Sequence, residues 1–122
     1  MSFEQYAQGA QVAMQRGDMN AAENSLRQAI QLAQQEFGAK AQKEDRVANL
    51  YNMLGKCLHT QGKLAEAEEA YKTALDVRQN ALGPLHASEV IILENYARLL
   101  KAAGKTAEAE KMEKRALGIM RR

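Results

Sequence analysis

Cys57 and His59 stand two positions apart, and with His86 they are the only thiol and imidazoles in a chain of 122 residues. A thiol beside an imidazole is the minimum equipment for a nucleophile and its base. The local pattern points elsewhere: Cys57 adjoins Leu58 on an apolar face, where a thiol behaves as a small core residue, and no motif assigns His59 as its base. Two widely separated histidines and one cysteine supply neither a metal-ligand set nor an internal disulfide. His86 is read as a residue that caps or packs against its linker. No glycine-rich phosphate loop, HExxH pair or serine motif occurs. The reading is of a non-catalytic protein with no cofactor and no metal.

Amides and cations offer a second kind of chemistry. Lys56 and Arg98 lie 42 positions apart, close to Asn52 and Asn95. An amide presents a donor and an acceptor to an extended peptide backbone, and a cation presents donors to a carboxylate. These four would act together only if the fold set their segments side by side.

The elements that could do so repeat along the chain. Gly62, Leu64, Ala67, Tyr71, Ala74, Leu75 and Gly83 are shadowed 45 positions upstream by Gly17, Met19, Ala22, Leu26, Ala29, Ile30 and Gly38. The pattern returns 42 positions downstream as Gly104, Lys105, Ala109, Ala116 and Leu117. Within each copy the apolar residues recur at three and four, the helical period. Two antiparallel helices per copy follow. The first helices are expected at Phe3 to Gln15, Asp45 to Thr60 and Glu89 to Ala103, and the second at Met19 to Phe37, Leu64 to Leu82 and Ala107 to Met120. Gly17, Gly62 and Gly104 fall in the short turns within the pairs, and Pro84 follows Gly83 as a helix stop. Ala22, Ala67 and Ala109 are expected to face Ala10, Gly55 and Ala97 where the two helices of a pair cross most closely. One proline, no tryptophan and six aromatics agree with helix over sheet.

In the middle copy Tyr51, Leu54, Gly55, Leu58, Gly62, Ala67, Tyr71 and Ala74 resemble the signature of the tetratricopeptide repeat. The long second helix and the run Ala81, Leu82, Gly83, Pro84, Leu85, His86 resemble the longer repeats of kinesin light chains. The resemblance implies an all-α, right-handed superhelical solenoid of three helix-turn-helix repeats and six helices, at about 3–38, 45–83 and 89–120 of a single domain. It also implies a concave groove lined by the first helices, which binds a peptide or protein. Position counting then puts Asn49, Asn52, Met53, Lys56 and His59 on the groove side of the middle copy. Ile91, Glu94, Asn95, Arg98 and Lys101 follow in the third, and Glu4, Ala7, Gln8, Gln11 and Met14 in the first. An acidic peptide across Lys56 and Arg98 is the expected partner. Met14, Met53 and Met112 are read first as gap fillers.

Charge and composition narrow the partners. A formal net charge of +2 argues against nucleic acid, although seven of the basic residues lie from Lys101 onward. Those are read as a solvated helix face whose acids allow pairs such as Glu110 with Lys114. No apolar run has transmembrane length and MSFEQYAQG lacks a basic start and an apolar core, so the expected location is cytoplasmic, away from membranes. An alternative reading is a self-associating module. Met112, Leu117, Ile119 and Met120 would have no covering neighbour beyond Arg122, so the expectation is that either the chain is cut from a longer protein or a homodimer forms through that face.

Overall fold

The computed structural model describes residues 1–122. Its six α-helices are α1 (Phe3–Gln15), α2 (Met19–Phe37), α3 (Asp45–Thr60), α4 (Leu64–Leu82), α5 (Glu89–Ala102) and α6 (Thr106–Met120), with a 3₁₀ segment at Gly38–Lys43. The expected bounds hold to within one residue. Local chemistry explains the starts. Ser2 and Gln5 form a capping box at α1, and the Asp18 carboxylate accepts from Ala21 N at 3.1 Å at α2. Gly17, Gly62 and Gly104 all take φ near +80°, a conformation that costs glycine little and other residues more.

Each pair folds into a hairpin, α3 packs on α2, and α5 packs on α4. One hydrophobic cluster runs through all three hairpins, so the stack shares a single core, as expected where one hairpin cannot bury its own apolar face. Ala10, Ala22, Ala67, Ala97 and Ala109 are all buried at the crossings. Gly55 is buried too, but its neighbour is a ring. A Cβ placed there would lie 2.6 Å from Tyr71 Cε1, and the Tyr71 ring also stacks on Tyr96 with centroids 5.9 Å apart. The first hairpin solves the same crossing with Ala10 and Leu26, one methyl larger on one side and a ring smaller on the other.

Ionic contacts tie neighbouring hairpins at one repeated place. Lys63, in the turn of the second hairpin, donates to Glu23 of α2 at 2.9 Å. Lys105, in the turn of the third, donates to Glu68 of α4 at the same distance. Lys63, with help from Arg27, holds the Glu23 carboxyl well below its ordinary value of 4.5, at about 2. Lys105 lowers Glu68 in the same direction. The expected Glu110–Lys114 pair does not form, and Lys101 instead reaches Glu113 at 3.2 Å.

The two linkers are fastened differently. In the first, Arg46 lies over the Phe37 ring at 4.9 Å, and Phe37 meets Phe3 edge-on at 5.6 Å. In the second, Leu85 adopts a φ of +63°, an uncommon state for a branched residue. It is held there by donating its N–H to Glu89 Oε2 at 3.2 Å. Glu89 is fully buried and also accepts from Gln79 and, at 3.1 Å, from Arg115. The sequence signalled the helix stop here but not this carboxylate.

Two measurements follow. Gly55→Ala forces a methyl into a ring that Tyr96 prevents from retreating, and should cost about 1–3 kcal/mol in urea unfolding. Adding Tyr71→Leu, which recreates the Ala10–Leu26 combination, should recover part of that loss, and strictly additive costs would remove the wedge. For Glu23 the folded pKa lies below the unfolded one, so the unfolded chain takes up the proton first. Its stabilisation is present above pH 4.5 and lost as pH falls toward about 2. Over that window the wild type should lose about 1–2 kcal/mol more than Glu23→Gln.

Candidate functional site

The first helices α1, α3 and α5 lie side by side and share one surface, on which two shallow clefts open. Between α1 and α3, Gln11, Met14, Gln15, Met53 and Lys56 line the first. Between α3 and α5, Lys56, His59, Thr60, Tyr71, Asn95 and Arg98 line the second. Lys56 therefore belongs to both, and the surface is one strip rather than two sites. The exposed ends of Lys56 and Arg98 meet in a cleft with no acidic side chain in its wall.

Arg98 is positioned. Its Nη1 donates to Asn95 Oδ1 at 2.9 Å, and Asn95 Nδ2 donates to Asn52 Oδ1 at 3.2 Å. Asn95 is only 6% exposed, so its amide is largely spent on orienting Arg98 and linking α5 to α3. This departs from the reading of Asn95 as a free groove amide. The reason is rotational: Asn95 sits between the groove face and the face that packs on α4, beside buried Tyr96.

The other expected groove residues divide. Gln11, Met53, Lys56, His59 and Arg98 line the two clefts. Asn49 is exposed, but its side-chain oxygen accepts from Arg78, a buried residue that also pairs with Asp45 at 2.8 Å. Gln8 is exposed and lies outside both clefts. Glu94 and Lys101 line a third depression, between α5 and α6, together with Ala97, Arg98, Glu113, Ala116, Leu117 and Met120, so Arg98 borders this depression as well as the second cleft. On the self-association face, Ile119 is 6% exposed and Met112 packs against the core, while Leu117 and Met120 are 46% and 54% exposed. Ile119 is thus corrected to a core residue. Its side chain follows buried Ala116 by three on the inner face of α6.

Tyr71 is the residue that sequence reasoning assigned to packing alone. Its ring is buried and the cleft reaches it. Burial pushes its phenol well above the usual range against the opposing charge of Arg98, so it stays protonated and able to donate. The apolar spacing that placed the ring carried no signal for its hydroxyl. Cys57 is fully buried, its Sγ donates to the Met19 carbonyl at 3.1 Å, and burial pushes its thiol up, the opposite of what activates a nucleophile. His86 Nδ1 accepts from Ser88 N at 3.1 Å, the linker-capping role expected of it.

Hairpins of this length and packing, with a lined strip on their first helices, define a helical-repeat protein. A family model described as Tetratricopeptide repeat matches residues 46–122, and a second with the same description matches residues 6–36. The chain belongs to the tetratricopeptide repeat family. Among solved structures, the crystal structure of BtubC (BKLC) from P. vanneervenii is similar over 94% of this chain, with a TM-score of 0.83 and 27% identity. The matched region is 45% of that protein's chain. Comparison with curated protein sequences produced no match. Repeats of this family generally mediate protein–protein interaction and are typically non-catalytic. No helix is long and apolar enough to cross a membrane.

Asn95→Ala should cost about 1–2 kcal/mol in chemical unfolding, because it removes a mostly buried amide and strands Asn52. A cost within the noise of an exposed substitution would show that Asn95 does not join α3 to α5.

Proposed function

We propose that the chain is a non-catalytic adaptor that holds an extended segment of another protein across α1, α3 and α5, with an acidic side chain between Lys56 and Arg98. The observation that carries this reading is the convergence of those two cations on one cleft whose wall contains no carboxylate. The buried Asn95 supports the reading because it holds the guanidinium before any partner arrives, which reduces the ordering cost of binding. Tyr71 and Thr60 line the same wall. Toward α1, Met14 and Met53 flank Lys56, and thioether side chains adapt to apolar partners of varied shape.

The adaptor works in the cytoplasm in this reading, where a lone thiol remains reduced. The small net charge of +2 favours a protein over a nucleic acid. Lys56→Glu combined with Arg98→Glu should weaken binding of aspartate- and glutamate-containing peptides roughly tenfold or more in fluorescence titrations. The salt dependence of binding should flatten with it. Unchanged affinity and unchanged salt dependence in that double variant would refute the groove assignment.

A further inference from the structure

Where two cations from neighbouring hairpins come together elsewhere in the molecule, they are matched charge for charge. Arg27 and Lys63 both pair with Glu23, and Arg27 also reaches Glu66 at 3.7 Å. Lys72 and Lys105 both pair with Glu68, and Lys72 also reaches Glu69 at 3.8 Å. Two cations thus meet two carboxylates at each place. Lys56 of α3 and Arg98 of α5 form a third such pair, in a cleft lined further by His59, Thr60, Tyr71 and Asn95. None of these is an acid. Glu94 and Glu113 line the depression on the α6 side of Arg98 rather than this cleft, and Glu113 is engaged by Lys101 at 3.2 Å. One carboxylate from a partner would balance one of the two cations and leave the other unmatched.

The donors also exceed what a carboxylate accepts. Lys56 has three N–H groups and Arg98 five, of which one is committed to Asn95. His59 adds a ring N–H, or two when protonated. The Thr60 hydroxyl already donates to the Lys56 carbonyl at 3.0 Å, and the Asn95 amide already bridges Arg98 and Asn52. Lys56, His59 and Arg98 therefore supply the contacts to any anion. A carboxylate brings one charge and two oxygens, whereas a phosphate monoester brings a charge of about −1.5 to −2 at neutral pH and three strong acceptor oxygens. The guanidinium fork matches two of those oxygens. The cleft volume of about 170 Å³ lies below the roughly 300–1,000 Å³ of small-molecule sites. It suits the head group of one side chain and is too small for a nucleotide.

We propose that the cleft between Lys56 and Arg98 is a phosphate subsite, and that the side chain it takes from the bound segment is a phosphoserine or phosphothreonine. The phosphoryl group lies between the ammonium and the guanidinium, with His59 donating to a remaining oxygen. Asn95 is a positioning residue that holds Arg98 for it. This rests on the reading of an extended protein segment along α1, α3 and α5, and adds that the segment is recognised after a protein kinase has acted on it.

The test uses the full chain and peptides with randomised flanks around one fixed residue, which is phosphoserine, glutamate or serine. In fluorescence titrations the phosphoserine set should bind roughly tenfold or more tightly than the glutamate set. Lys56→Gln combined with Arg98→Gln should erase that preference, and Arg98→Lys should reduce it, because a point charge replaces the fork. Inorganic phosphate should shift the NMR resonances of His59 and of the Asn95 amide saturably at concentrations on the order of millimolar, and acetate at matched ionic strength should not. Both substituted side chains are exposed, and Lys56→Gln alone carries the test if circular dichroism finds the double variant unfolded. Glutamate peptides that bind as tightly as phosphoserine peptides overturn the proposal and leave the acidic-segment reading standing. A phosphoserine preference that survives the double substitution overturns it as well, since the phosphate then binds elsewhere. Phosphoserine peptides that bind no tighter than inorganic phosphate make a free ion the ligand and end the proposal. Absence of binding by all three peptide sets refutes both readings.

Discussion

Close approach of the two helices within each hairpin is the contact from which the rest of the geometry follows. Ala10, Gly55 and Ala97 are buried small residues on the first helices, and in the middle copy the Tyr71 ring lies over the glycine, where the first copy has Leu26 at the equivalent position. In the middle hairpin the consequence spreads outward. The ring that enters over Gly55 is also stacked on Tyr96, so the residue that contacts Gly55 is one on which α5 rests. The edge of the same ring reaches the cleft where Lys56 and Arg98 meet. Core packing and the candidate binding wall therefore share a side chain, and volume changes at Gly55 would be felt at the surface.

The charged residues fall into two populations that do different work. Glu23, Glu68 and Glu89 are mostly or fully buried and are satisfied by several donors each. They join hairpin to hairpin or fasten a linker, the arrangement under which a carboxylate can tolerate desolvation. Lys56 and Arg98 share a cleft without acids, Arg98 also borders the depression that holds Glu94 and Glu113, and the side chain that hydrogen-bonds Arg98 is a neutral amide. A cation held by an amide keeps its charge available, whereas a cation held by a carboxylate does not. That contrast separates Arg98 from Lys101, which spends its charge on Glu113.

The repeated Glu–Lys contacts also give the stack a direction. The first and second hairpins each offer an acid from the second helix to the hairpin after it, and the second and third return a lysine to the one before. The first hairpin has Asp18 in place of that lysine, so the two ends of the stack are chemically unlike. A direction of this kind lets an assembly discriminate by repulsion as well as attraction.

The sequence by itself determined the helices, their bounds, the turns and the repeat, because apolar spacing, glycines and caps act over a few residues and are written consecutively. It also located the faces: Lys56, His59 and Arg98 stand on the strip that position counting assigned them. Only the tertiary structure decided the fate of residues near the edge of a face. Asn95, Asn49 and Ile119 lie within one helical step of the boundary between groove or solvent and core, and a rotation of a few tens of degrees reverses their role. The same holds for partners distant in the chain. That Arg78 takes Asn49, that Glu89 holds Leu85 in a left-handed turn, and that Tyr71 reaches the cleft depend on the angle at which one hairpin lies on another. That angle is set by side-chain volumes acting together across the interface, and no local stretch of sequence encodes it.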